Sequence, residues 1–225
     1  MPQSPDSTAI LSHQRRKAER PQELLDAALS LFVEKGFAAT RADEVATRAG
    51  VSKGTLYLYY ASKEELLKAV IAQRLSSQIA EGARQVAEHQ GSCAELLLNV
   101  LSVWWENVFD SDASGVFKLI ITEVRNFPDI AAFYYREVVE PGQQLIGSVV
   151  RRGIDRGEFR PVPVDSVVQS LVLPMVMLCV HKHSLGACSA CGATEAMVEP
   201  HLFIRQHIDL LLGGLRAPAL PVSKP

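Results

Sequence analysis

The chain has 225 residues, 48% of them apolar and 21% charged, and its 23 Lys and Arg stand against 25 Asp and Glu for a net charge of −2. That composition excludes wholesale disorder and fibrous repeats, and it excludes a polycation that holds nucleic acid by bulk charge alone. The longest apolar run, 171–180, contains Pro174 and is about half of what a bilayer requires, so no membrane partner is expected. The four Cys make no disulfide framework in a chain of this length, and the opening residues lack the apolar stretch of a leader peptide. The expectation is a cytosolic, reduced, globular protein.

In chain order, a start rich in Pro, Ser and Asp can bury little. His13, Arg15, Arg16, Lys17 and Arg20 then make a basic, helix-compatible stretch, and Pro21 suits a first helical turn. Such a basic segment either reaches into a minor groove or simply begins a solvated helix. Leu24, Leu25, Ala28, Leu31 and Phe32 recur at helical spacing, and Lys35 with Gly36 ends that helix. A short helix over 41–49, N-capped by Thr40, is followed by Gly50 and by a second short helix from Ser52 to Tyr59. Ser62 and Glu65 form a capping box that opens a long helix to about His89. Beyond Gly91, helical patterns cover 94–109, 115–126, 129–155, 164–183 and 194–212, with Pro and Gly between them. No alternating strand pattern occurs. The expected fold class is all-α, about nine helices in all. The expected division is 1–64 as an N-terminal arm with three helices, 65–215 as a larger helical domain, and 216–225 as a tail.

Residues 42–59 meet the steric demands of a helix-turn-helix. Ala46 is small where the two helices cross, Gly50 sits in the turn where φ > 0 is easiest for glycine, and Val45, Ala49, Val51, Leu56 and Tyr59 fall at inward positions. The stretch Thr40–Leu67, TRADEVATRAGVSKGTLYLYYASKEELL, resembles the DNA-binding region of tetracycline-repressor (TetR) family regulators, whose members typically read GVSKGTLYxYF followed by SKEEL. Tyr60 stands where Phe is usual, and Leu58 fills a slot often polar in relatives.

The motif assigns roles by projection. The helix Ser52–Tyr59 is expected in the major groove of a double-stranded DNA operator, with Ser52, Lys53 and Thr55 exposed, Gly54 permitting close approach, and Tyr57 offering its phenol to a phosphate and its ring to a thymine methyl. Thr40 and Lys63 are expected as phosphate clamps, assisted by Arg41 and Arg48. Residues 1–64 carry nine Lys and Arg against eight Asp and Glu, so any basic patch must arise by placement. One such module reads few bases, which calls for a homodimer on a palindromic site.

For the remaining chain, the resemblance implies a helical domain that binds a small-molecule effector and pairs with its mate through the last two helices. Trp104, Trp105, Phe109, Phe117, Phe133, Met175 and Met177 are the candidate effector-pocket residues, an ordinary aromatic core being the plainer account of any one of them. Residues 164–183 and 194–212 are apolar over more than one stripe, as helices buried on two sides are, and Pro174 is expected to kink the former. His181, His183, Cys188 and Cys191 have metal-ligand or thiol-sensor chemistry, but no second CxxC or spaced His pair completes a site. Carboxylates are scattered and no Gly-rich phosphate loop occurs, so neither an enzyme nor a cofactor is expected. The function expected is a ligand-responsive repressor whose effector acts through the helix 62–89; the alternative is a dimer whose large domain serves dimerisation or metal or thiol sensing.

Overall fold

The computed structural model describes residues 7–123, 125–188 and 198–216, with side chains from residue 19 onward. They are helical throughout: no strand occurs among the described residues, and a single antiparallel bridge joins Phe159 and Arg216. The chain divides into two compact units between Ile71 and Ala72.

In the first unit, α1 spans Ser7–Lys35, α2 Ala42–Arg48, α3 Lys53–Tyr59 and α4 Lys63–Ile71. The basic stretch is thus part of α1, and Pro21 lies inside that helix and not in its first turn. A mid-helix proline removes one backbone bond without ending α1, whose buried apolar stripe lies after it. That stripe, Leu24, Ala28, Leu31 and Phe32, meets α2 and α4. Gly36 adopts φ 88° to stop α1, and Phe37 turns back edge-to-face on Phe32, the ring centroids 5.1 Å apart. Leu66, Leu67, Val70 and Ile71 of α4 are buried with them, which is why this unit extends to Ile71. Val45, Ala46 and Leu56 fill the crossing of α2 and α3, and Gly50, at φ 66°, makes the turn.

The second unit contains α5 (Ser77–Glu88), α6 (Cys93–Glu95), α7 (Ser102–Asp110), α8 (Ala113–Glu123), α9 (Pro128–Tyr134), α10 (Glu140–Asp155), α11 (Val164–Lys182) and α12 (Pro200–Leu215). Three π-helical segments, Ala72–Ser76, Leu96–Leu101 and Tyr135–Val139, interrupt the α pattern. Helical residues run without a gap in sequence over 63–88, 93–110 and 128–155, each run holding one π segment; counted so, nine helical runs make up the described chain, apart from a 3₁₀ turn at Leu185–Ala187.

α11 packs on α8, α10 and α12 through Val168, Leu171, Met175, Leu178 and Cys179. By length and composition it is the one described helix apolar enough to cross a membrane. Its second apolar face explains this, since Leu173 and Met177 are 61% and 60% exposed. After α10, Gly157 (φ 71°) turns the chain, and Phe159 inserts its buried ring over Gly153. Arg160 then closes the end of α12, its N–H on the Leu215 carbonyl at 2.9 Å and its Nε on that of Gly214 at 2.7 Å.

Candidate nucleic-acid interface and effector cavity

Ser52 is the N-cap of α3, its Oγ accepting from the Thr55 N–H at 3.1 Å and lying 2.9 Å from Thr55 Oγ1. With Leu56 fully buried, the opposite face of this short helix is left outward. Ser52, Lys53, Gly54, Tyr57 and Leu58 are exposed there and Thr55 is half-buried beside its cap. Tyr57 is 43% and Leu58 84% exposed, and Lys53 Nζ stands 6.0 Å over the Tyr57 ring one turn away. Nothing in the protein demands a glycine at position 54: a Cβ there meets only Ser52 Oγ, at an ordinary 3.8 Å.

Two residues expected as phosphate clamps turn inward. The Thr40 side chain is only 1% exposed, and its hydroxyl donates to the Gly36 carbonyl at 2.8 Å and the Leu31 carbonyl at 3.2 Å. The N-cap of α2 is accordingly Arg41, whose N–H is taken by Glu44 at 3.0 Å. Lys63 Nζ donates to the carbonyls of Phe37, Ala38 and Thr40 at 2.8, 3.2 and 3.0 Å, and sits 4.5 Å over the Phe37 ring. An ammonium has three protons, and these three carbonyls match them. The turn after α1 exposes carbonyls that no helix satisfies, which is why a lysine at the start of α4 is drawn to them.

Arg48 and Arg41 stay at the surface but are held by neighbours. Arg48 Nη1 bonds Glu34 at 2.6 Å and Ser30 at 2.8 Å, and this hydrogen bond keeps the Glu34 carboxyl below its usual range. Arg41 lays its Nε–Nη2 edge on Asp43, at 3.1 and 2.9 Å. Tyr60, in the slot where Phe is usual, is part-buried with its hydroxyl 3.4 Å from the Pro21 carbonyl, and burial raises its pKa. His13, Arg15, Arg16 and Lys17 carry side chains outside the described residues; Arg20 pairs with Glu23 at 2.9 Å.

The second unit holds an apolar cavity of about 70 Å³ that is partly open to solvent. α5, α10, α7 and the π segment Leu96–Leu101 line it, with Ile79, Val86, Val100, Trp104, Leu145 and Val149 among its walls. Of the seven residues expected around the pocket, only Trp104 lines this cavity. Trp105, Phe117 and Met175 are core residues: Trp105 packs edge-on against Trp104 at 4.7 Å and tilted on Phe117 at 5.9 Å. Phe109 lies under Lys182 Nζ at 4.7 Å, Phe133 lies under Arg136 at 5.6 Å, and Met177 faces outward. Large rings repay core packing with more buried area, so the void forms among aliphatic chains and two glycines, Gly82 and Gly142. No periodicity marks such residues apart from core.

Of the His/Cys cluster, His181, His183 and Cys188 are among the described residues. His183 Nε2 is bonded to Ser114 Oγ at 2.8 Å, with its pKa lowered by burial and by the nearby Lys182 and Lys118 charges. Cys188 is exposed in the loop, and Cys191 lies outside the described residues. Among the described residues no three His, Cys, Asp or Glu side chains gather as metal ligands would.

The first unit thus presents the exposed face of α3 on a tight helix-turn-helix, and the second unit holds an apolar cavity. The sequence profile of bacterial regulatory proteins of the tetR family matches residues 24–70, and that of the tetracyclin repressor-like C-terminal domain matches residues 87–185. The chain belongs to the TetR family. It is 31% identical over 164 residues to the uncharacterized HTH-type transcriptional regulator YfiR of Bacillus subtilis, covering 71% of this chain and 77% of that one. It is 30% identical over 147 residues to the fatty acid metabolism regulator protein of the same organism, over 64% and 74% of the two chains. Among solved structures, that of the transcriptional regulator FadR from Bacillus subtilis in complex with stearoyl-CoA shares the fold with a TM-score of 0.69, at 19% identity over 86% of this chain and 98% of that one. As a TetR-family member the protein is a DNA-binding transcriptional regulator.

Proposed function

We propose that the protein is a homodimeric repressor that leaves a palindromic operator when a small hydrophobic molecule enters the cavity of its second unit. The outward face of α3 carries the DNA reading: Lys53 and Tyr57 engage phosphate and base, Ser52 and Thr55 fix the start of the helix, and Gly54 leaves room for the groove wall. Arg41 and Arg48 add positive charge at the border of this face, while Thr40 and Lys63 shape it from inside.

The single feature that carries the effector reading is the cavity lining, which offers apolar side chains and two glycines and no charged group. A relative named for fatty acid metabolism and a structural neighbour holding stearoyl-CoA support a lipid-like occupant. The dimer reading rests on α11 and α12, where Leu173, Met177 and Leu210 are large, apolar and exposed; such a patch on adjoining helices suits a second copy. The chain passes between its units once, at Ile71–Ala72, and a π-helical segment follows at once. Strain at such a segment is a means by which occupancy alters DNA affinity, provided the effector binds the two states unequally.

Selection from random DNA followed by footprinting tests the first half: the expected product is one inverted repeat, protected on both half-sites by a protein that sediments as a dimer. Titrating the footprint with saturated acyl ligands tests the second half, with release expected. No preferred sequence would defeat the repressor reading, and a footprint indifferent to every apolar ligand would leave a dimer without an organic effector.

A further inference from the structure

The cavity of the second unit is apolar along its walls, yet buried nitrogens without partners belong to Arg152, which bonds the lining residue Val86, and to His89, three residues further on. On α10, Gly142, Leu145, Ile146 and Val149 line the cavity, and helical spacing puts Arg152 next on the same face. α5 runs alongside in the same direction, Gly82 lying against Leu145 and Gly142 against Ile79. At the far end Arg152 Nη1 reaches the carbonyl of Val86, itself a cavity residue, over a long 3.4 Å. The other edge of the guanidinium, Nε and Nη2, is buried and meets no acceptor. His89, three residues beyond Val86, likewise buries an Nε2 without a partner.

That Nε–Nη2 edge is the one arginine uses to hold a carboxylate or phosphate with two parallel bonds. Two other arginines fill it: Arg205 bonds Glu106 through Nε and Nη2 at 2.6 and 2.9 Å, as Arg41 bonds Asp43. Asp155, at the end of α10, is exposed, and three other carboxylates near the ends of α5 and α10 are committed elsewhere. Glu158 accepts from the Cys93 N–H at 2.6 Å and stands 3.9 Å from Arg156, Glu95 caps Ser92, and Glu88 pairs with Arg84. A buried donor pair left open costs stability unless something supplies the acceptor.

Resting on the reading of the cavity as the effector site, we propose that Arg152 recognises an anionic head group, so that the effector is an amphiphile with its acyl chain in the cavity and its anionic oxygens on the Nε–Nη2 edge. A free fatty acid supplies those oxygens as a carboxylate, and an acyl-CoA thioester supplies them as phosphate.

Trp104 lines the cavity, so its fluorescence reports filling. The titration compares laurate, lauroyl-CoA and neutral 1-dodecanol, which share one chain length. Wild-type protein is expected to favour at least one anion over the alcohol by about tenfold or more, as a charged, hydrogen-bonded pair implies. Arg152→Gln and Arg152→Met, each checked for a native circular dichroism spectrum, are expected to abolish that preference while leaving affinity for 1-dodecanol within about twofold. Arg152→Lys is expected to retain part of the preference through charge alone. Dependence on Arg152 for laurate identifies the carboxylate as the anion, and dependence for lauroyl-CoA alone identifies the phosphate. Equal wild-type affinity for alcohol and anions, or a preference that survives both neutral variants, overturns the proposal and leaves the apolar effector site standing. Binding of none of the three overturns both.

Discussion

His207 of α12 donates from Nε2 to the carbonyl oxygen of Ser170 on α11 at 2.9 Å, and the cause stands four residues further along α11. Pro174 has no N–H, so the Ser170 carbonyl loses the helical partner it otherwise has. His207→Ala is expected to lower stability by about 1 kcal/mol, the usual worth of a hydrogen bond. Pro174→Ala restores an N–H to the helix, so the same His207 substitution is expected to cost less in that background. A double-mutant cycle by chemical denaturation measures the coupling; additive losses would show that the bond and the proline are unrelated.

Lys63 is the second case of one element satisfying another's carbonyls. Its three bonds to 37, 38 and 40 hold the turn from which α2 starts. Lys63→Met is expected to destabilise the first unit by about 2 kcal/mol, hydrogen bonds to a charged donor being worth about 1.5–3 kcal/mol. Operator affinity should fall with it, while the dependence of binding on salt stays as in the wild type. A phosphate clamp predicts the opposite, an undiminished melting temperature and a salt slope shallower by about one unit.

These two bonds mark what was legible in the sequence and what was not. Helix class, the turn at Gly50, the cap at Ser52 and the buried stripe of α1 follow from local chemistry, because propensity, capping and periodicity act over a few residues. The exposed face of α3 follows for the same reason: once Leu56 points in, 53, 54 and 57 point out. The direction in which Thr40 and Lys63 turn depends on where the carbonyls of Leu31, Gly36, Phe37, Ala38 and Thr40 lie in space, which no spacing encodes. The cavity was misplaced onto aromatics because a void is a failure of packing among residues indistinguishable from core. Pro21 lies inside α1 because a first-turn preference is a local one that does not bar proline from a helix interior. The π segments carry no pattern of their own.

Phe159 leaves no room above Gly153: a Cβ built there falls 2.2 Å from the ring Cδ2 and 3.0 Å from Cγ. Gly153→Ala must displace a fully buried ring, and overpacking of this kind costs about 1–3 kcal/mol even though alanine is the better helix former. Adding Phe159→Leu is expected to recover part of the loss. Thermal melts of the two single variants and the double variant decide the matter, since independent effects would simply add.

One pH dependence follows from α12. His201 Nε2 lies 2.9 Å from Asp110 Oδ1, and that hydrogen bond raises the His201 pKa above its ordinary value. A raised folded-state pKa means that the stability contributed is complete below the unfolded value of about 6.5 and is lost as pH rises through the folded one. Melting temperature should therefore decline across that window in the wild type and decline less in Asp110→Asn. The Glu106 charge adds a smaller push in the same direction, so Glu106→Gln should also flatten the decline, by less than Asp110→Asn does.

Gly54 separates the demands of the protein from those of its ligand. A methyl group at that position meets only Ser52 Oγ at 3.8 Å, and alanine is favoured over glycine inside a helix by about 1 kcal/mol. Gly54→Ala is therefore expected to stabilise the free protein or leave it unchanged. On the outward face of α3 the same methyl stands between the helix backbone and the groove wall, where close approach is what glycine provides. Operator affinity is expected to fall at least about tenfold, equivalent to 1.4 kcal/mol, for matched and mismatched sites alike, since what is lost is depth of entry and not a base contact. Denaturation and operator titration of one variant thus move in opposite directions. A stabilised Gly54→Ala that binds as tightly as the wild type would show that α3 does not approach DNA on this face.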